Sequence, residues 1–349
     1  MAIEQGGDQA PAAADAPPPD PQETNPGSEE VLRSVPLSRD PADSESLMTV
    51  LVAFAANILI AIAKTAAAVL TGSASLVAEA AHSWADSGNE IFLLMANRRS
   101  KRPADRTHPM GYGREAYVWS LFAALGLFVA GAVVSVSQGV GELVHPESAS
   151  NFVIGYIVLA VSFVLEGTSF LQSVRQAKPE AESMNRDLID HVLATSDPTL
   201  RAVFAEDSAA LVGVVLAAAG LGLHQLTGSP IPDAVGSILI GLLLGAVAIV
   251  LINRNRRFLV GQEADPEVRA AAIRALMAAP EVARVTYLRL EVVGPRVIFV
   301  IGDVDLTGDD PEPRLAVRLR ALEAKISASP AVVGAVLSLS APDEPTLEA

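Results

Sequence analysis

The sequence predicts an α-helical membrane protein: six transmembrane helices followed by a ferredoxin-like α+β cytoplasmic domain. Three observations carry this. Several runs of about twenty nearly uncharged residues are each long enough to cross a hydrocarbon core of ~30 Å. Lys and Arg fall in alternate connections between those runs. After about Gly261 the pattern changes to the mixed helix and strand periodicities of a small domain.

Residues 1–46 hold eight prolines and ten acidic groups against two basic ones. They bury too little apolar surface to offset the entropy of ordering and are expected to form a disordered tail. No signal peptide is read ahead of them. The six spans are expected at 47–70, 76–97, 116–144, 151–174, 199–227 and 231–252, together a six-helix transmembrane domain over 47–260. Each is read as a helix because backbone polar groups must be satisfied within the segment when lipid surrounds it.

Basic residues set the orientation. Arg98, Arg99, Lys101, Arg102, Arg106 and Arg114 lie between spans two and three, Arg175, Lys178 and Arg186 between four and five, and Arg254, Arg256 and Arg257 close span six. The other connections have neither Lys nor Arg. Positive-inside bias therefore predicts cytoplasmic termini, in a membrane expected to be the bacterial inner (plasma) membrane. Residues 261–349 read as helix from Pro266, strands at 284–293 and 297–306 joined by a Gly294-Pro295 turn, helix at 313–327 and strand at 332–338. That α-β-β-α-β order is expected to form a ferredoxin-like dimerisation domain. It contains neither His nor Cys, so no tight zinc site is expected there.

A net charge of -15 concentrated in the two tails argues against nucleic acid as a partner. The absence of cysteine excludes disulfides, thiolate metal sites and a Cys nucleophile. An intramembrane metalloprotease needs a motif such as H-E-x-x-H, and the chain has none, so no enzymatic activity is expected.

Ionisable groups inside a membrane helix cost about 2.5–3.5 kcal/mol each on insertion scales and need a partner or a task. Glu79, His82, Asp86 and Asn89 in span two share one helix face by their spacing. His82 and Asp86, one turn apart, can aim an imidazole nitrogen and a carboxylate oxygen at one ion; taken alone, the pair is equally explained by hydrogen bonds to a neighbouring helix. Span five adds Glu206 and Asp207 at a similar depth. Three carboxylates and an imidazole at one level favour a divalent cation as their shared partner. Lys64 in span one lies level with Glu79 and reads as a structural ion pair, with a role in ion exit the lesser alternative. Ser162, Glu166, Ser169 and Ser173 form a polar stripe on span four; Glu166 either lines a cytoplasmic vestibule or bonds within the bundle. Small residues Ala209, Gly213 and Ala217, and Ser237, Gly241 and Gly245, read as close-packing faces.

Taken in order, the stretch from Thr71 to Asn89, His108-Pro-Met-Gly-Tyr-Gly-Arg114, Glu206-Asp207-Ser-Ala-Ala and Asp233-Ala-Val-Gly-Ser237 resembles the cation diffusion facilitator family over about residues 47–340, in particular its zinc-transporter-nine-like branch. The resemblance implies a homodimer that exports a divalent metal from the cytoplasm, most simply Zn²⁺, in exchange for protons, with no resident cofactor. It implies His82, Asp86 and Asp207 as metal ligands. Many members carry a second histidine in span five where this chain has Val203. Glu206, ~60° around the helix from that position, is the residue placed to substitute for it. His and carboxylate donors also suit Mn²⁺, Fe²⁺ or Co²⁺. A membrane-embedded metal sensor or scaffold without net transport is the alternative function.

Overall fold

The computed structural model describes residues 47–146 and 149–348; the tail expected over 1–46 lies outside the described residues. The membrane domain comprises α1 (Leu47–Thr71), α2 (Ala74–Ser100), α3 (Glu115–Val144), α4 (Phe152–Ser183), a short α5 (Leu188–Ala194), α6 (Pro198–Thr227) and α7 (Ile231–Val260). The boundaries have local causes. Gly72, at φ +68°, turns the chain between α1 and α2, and Ser73 accepts the Leu76 N–H at the start of α2. Asp197 caps α6 by accepting from Thr199 and Leu200, ahead of Pro198. At its far end α6 stops at Gly228, with φ +67°.

Five of the six long helices are apolar enough to cross a membrane by composition alone. The exception is α2, whose 27 residues include the acids of the polar face. It packs against α1, α3, α6 and α7, which cover its polar face, while Trp84, Ile91 and Leu94 on its other side stay exposed. The small-residue faces serve this packing. A Cβ on Gly241 of α7 would fall 2.9 Å from the Ala132 carbonyl oxygen and 2.7 Å from a Val136 methyl of α3, and Ser237 donates to the Ser135 carbonyl at 2.8 Å.

Three features depart from the expected spans. Helices α2, α4 and α7 run on to Ser100, Ser183 and Val260, because hydropathy marks only the part inside hydrocarbon while the helix continues beyond it. Residues Leu127–Val133 within α3 form a π-helical segment. The seven residues of α5 are too few to show a helical period in the sequence.

The C-terminal domain has the expected order: α8 (Pro266–Met277), β1 (Val282–Gly294), β2 (Val297–Leu306), α9 (Glu312–Ser327) and β3 (Val332–Leu339). The three strands form one sheet in the order β1-β2-β3, with β1 antiparallel to β2, and β2 parallel to β3 through the α9 crossover. Val285, Leu288, Leu290, Val300 and Val304 are buried in its core beneath Ile273, Leu276, Leu322 and Ile326 of the two helices. Tyr117 of α3 and Phe258 of α7 enter the same core, their rings stacked at 4.9 Å, so the two domains share one hydrophobic cluster.

Ion pairs fasten this junction. Arg114 pairs with Glu291, and Arg186 pairs with Asp265. The β1–β2 turn places Arg296 at φ +56° after Pro295, and from there its guanidinium reaches Glu180 at 2.5 Å while its backbone N–H donates to Ser196. These contacts put the arginine-rich connections on the same side as the C-terminal domain. In the loop after α2, Asp105 accepts from the Thr107 and Tyr112 hydroxyls and the His108 N–H, which together hold its carboxyl well below the usual carboxylate range.

Gly113 lies against Gly294 of the β1–β2 turn. A Cβ at 113 would fall 2.5 Å from the Val293 carbonyl oxygen and 2.8 Å from the Gly294 Cα, both backbone atoms that cannot swing aside. Gly113→Ala is therefore expected to loosen the junction at a cost of about 1–3 kcal/mol. The check is a lowered thermal midpoint together with faster proteolysis between α7 and α8; an unchanged midpoint contradicts the close approach.

Candidate functional site

The polar face of α2 is built as its spacing predicts. Glu79 and His82 are fully buried, Asn89 is 2% exposed, and the Asp86 carboxylate keeps 19% of its surface open. His82 Nδ1 lies 3.3 Å from Asp86 Oδ1, but the two are not aligned for a hydrogen bond. Both ring nitrogens of His82 and Oδ1 of Asp86 are buried and find no hydrogen-bond partner among the described residues. Leaving such groups unmade costs about 1–3 kcal/mol each, so atoms held this way are free to act as ligands.

From the opposite wall α6 contributes Glu206 and Asp207. Asn89 Nδ2 of α2 donates to Glu206 Oε1, and Ser169 Oγ of α4 donates to Asp207 Oδ2 at 2.9 Å. These two bonds draw α2, α4 and α6 together around the acids of α6. Among the described residues no three His, Asp or Glu side chains converge closely enough to hold an ion as they stand. Of the four predicted site residues, His82 and Asp86 thus stand side by side on α2, while Glu206 and Asp207 of α6 are each tied to a neighbouring helix, through Asn89 of α2 and Ser169 of α4.

Lys64 is fully buried, with Nζ 3.0 Å from Glu79 Oε2 and 3.4 Å from Glu166 Oε1. The expected pair with Glu79 is present, and Glu166 joins it as a second carboxylate. Two further contacts were not anticipated. Asn57 of α1 donates to Glu90 at 2.6 Å, although Glu90 follows Asp86 by four residues and so belongs to the same stripe. Asp233 at the start of α7 accepts from both Ser73 and Ser75, tying the start of α2 to α7. Nothing in the spacing of so distant a pair of segments signals that bond.

The family model for the cation efflux transmembrane domain matches residues 50–260, more than half of the chain. The chain belongs to the cation efflux family. Among curated relatives of this cation efflux protein, metal tolerance protein C4 of Arabidopsis thaliana is 34% identical over 266 residues, covering 76% of this chain and 58% of the relative. The mitochondrial proton-coupled zinc antiporter SLC30A9 of Xenopus laevis is 34% identical over 259 residues, 74% of this chain and 46% of that protein. The magnetosome protein MamB of Paramagnetospirillum magneticum is 24% identical over 249 residues, 71% and 78% of the respective chains. This cation efflux protein spans about half the length of the first two. Membership in a family of efflux proteins agrees with the expectation that the chain is not an enzyme.

The buried pair in this cation efflux protein makes a stability prediction. Glu79→Ala leaves the Lys64 ammonium with Glu166 alone and is expected to destabilise the fold by about 3–5 kcal/mol, whereas Lys64→Met combined with Glu79→Gln removes both charges and recovers most of that loss. Thermal unfolding in detergent checks both; equal destabilisation by the single and double variants would mean that the pair contributes packing only.

Proposed function

We propose that the chain is a secondary transporter that exports a divalent metal cation, Zn²⁺ foremost, from the cytoplasm in exchange for protons. The observation that carries this is His82: a fully buried imidazole with both nitrogens unpartnered among the described residues, beside an equally unpartnered oxygen of Asp86. In our reading His82, Asp86 and Asp207 hold the metal and Glu206 stands beside them as the fourth donor, released from Asn89 when the ion arrives. A four-coordinate set of one imidazole and carboxylates suits Zn²⁺. Mn²⁺, Fe²⁺ and Co²⁺ accept the same donors. The name of the Xenopus relative, a zinc antiporter, favours zinc.

Proton exchange follows from the same atoms. A metal ligand must offer a free lone pair, so protons and metal compete for His82 and the acids, and loading expels protons. A bundle that exposes the site alternately to its two sides turns this competition into antiport. We place the C-terminal domain in the cytoplasm, as the arginine-rich connections beside it favour, and propose that it supports a homodimer. The bacterial inner membrane is our proposed location; the relatives include mitochondrial proteins as well as the bacterial MamB.

Two experiments test the reading. In sealed liposomes Asp86→Ala and Asp207→Ala are each expected to abolish Zn²⁺ flux while the protein stays folded, and Glu206→Gln to weaken metal affinity by about tenfold, ~1.4 kcal/mol. Wild-type flux in either aspartate variant defeats the assignment. With a pH gradient imposed, more acidic on the side to which metal is delivered, flux is expected to accelerate, protons to move the opposite way, and affinity to fall as pH drops. Metal binding with no flux under any gradient would favour a sensor or scaffold.

A further inference from the structure

Lys64, Glu79 and Glu166 form a buried cluster that the metal site does not use, and three helices place it in line with that site. On α2, Glu79 precedes His82 by three residues and so lies one turn, ~4.5 Å, farther from the C-terminal domain. On α4, which runs toward that domain, Glu166 is likewise one turn farther out than Ser169, the partner of Asp207. On α6, Gly213 lies outward of Asp207, and a Cβ there would run into Glu79 Oε1, so the bare glycine backbone makes room for that carboxylate. Each helix therefore pairs an inner position at the metal site with an outer position at the cluster.

The cluster has the composition of a cation site already filled. Two carboxylates face one ammonium, and Glu79 Oε1 is buried without a hydrogen-bond partner among the described residues. Glu166 is the less tightly held partner: its contact is the longer, at 3.4 Å against 3.0 Å, and its side chain is 15% exposed, against none for Glu79 and Lys64.

We propose that Glu79 and Glu166 form a second cation site, one turn outward of His82, which Lys64 fills at rest and yields to a divalent metal on its way out. This rests on the transport reading above. The tethered ammonium stands in for the departing ion: it neutralises the carboxylates while the site is empty and closes the path behind a metal that has left. Glu166 passes from Lys64 to the metal and back, while Glu79 stays seated against Gly213. No bond is made or broken beyond this exchange of ionic partners.

The test uses the full chain. Equilibrium dialysis of Lys64→Met against Zn²⁺ is expected to show one more bound ion per chain than wild type, because the vacated carboxylates now hold the metal; an unchanged count overturns the proposal. Glu166→Gln leaves the Lys64–Glu79 pair intact and therefore folded. It is expected to keep the wild-type ion count and affinity but to slow Zn²⁺ flux in liposomes by about tenfold, a loss in turnover without a loss in binding. Wild-type flux in Glu166→Gln overturns the proposal by itself, whatever becomes of Lys64→Met. Asp86→Ala separates this from the inner site: it should remove one ion from wild type and from Lys64→Met alike, and an unaltered count there refutes the inner assignment while leaving the outer one to its own variants.

Discussion

Enclosing charge in hydrocarbon is the constraint on which the rest of this structure depends. Helix α2 carries Glu79, Asp86 and Glu90 through the membrane, and none of them can face lipid without a cost of several kcal/mol. The bundle is arranged around that requirement. Lys64 answers Glu79 from α1, Asn57 answers Glu90 from the same helix, and Asn89 turns from α2 to Glu206 on α6. Glycines and alanines on α6 and α7 let backbones close around these groups, and the larger apolar side chains of the outer helices are left to meet the bilayer. After this pairing both ring nitrogens of His82 and one oxygen each of Glu79, Asp86, Asn89 and Glu90 stay buried without a hydrogen-bond partner among the described residues, so the His82 side chain makes no such bond at all.

The same economy shapes the junction with the C-terminal domain. Helices α4 and α7 outrun the hydrocarbon, and their ends become the surface on which the domain sits. Phe258 from α7 and Tyr117 from α3 complete a core that the small sheet and its two helices would otherwise leave open. Around it Arg114, Arg186 and Arg296 pair with acids across the boundary, one of which, Glu180, also accepts from His191 of α5. Arg296 further lies 3.7 Å from Asp197, the cap of α6, so the hairpin turn of the C-terminal domain touches the start of the helix that bears Glu206 and Asp207.

Much of this was legible in the chain itself. Span count, the α-β-β-α-β order, the shared face of Glu79, His82, Asp86 and Asn89, and the Lys64–Glu79 pair all follow from periodicity along one helix or from the cost of charge in lipid, both of which act locally. The reach of the helices beyond the membrane and the existence of α5 did not follow, because hydropathy reports where lipid is and seven residues hold no period. Tertiary structure alone decided that Glu166 shares Lys64, that Ser169 holds Asp207, that Asp233 binds Ser73 and Ser75, and that Gly113 must be bare to pass Gly294. Each of these joins elements far apart in sequence, and which helices become neighbours is set by packing of the whole bundle, a property that no single segment carries.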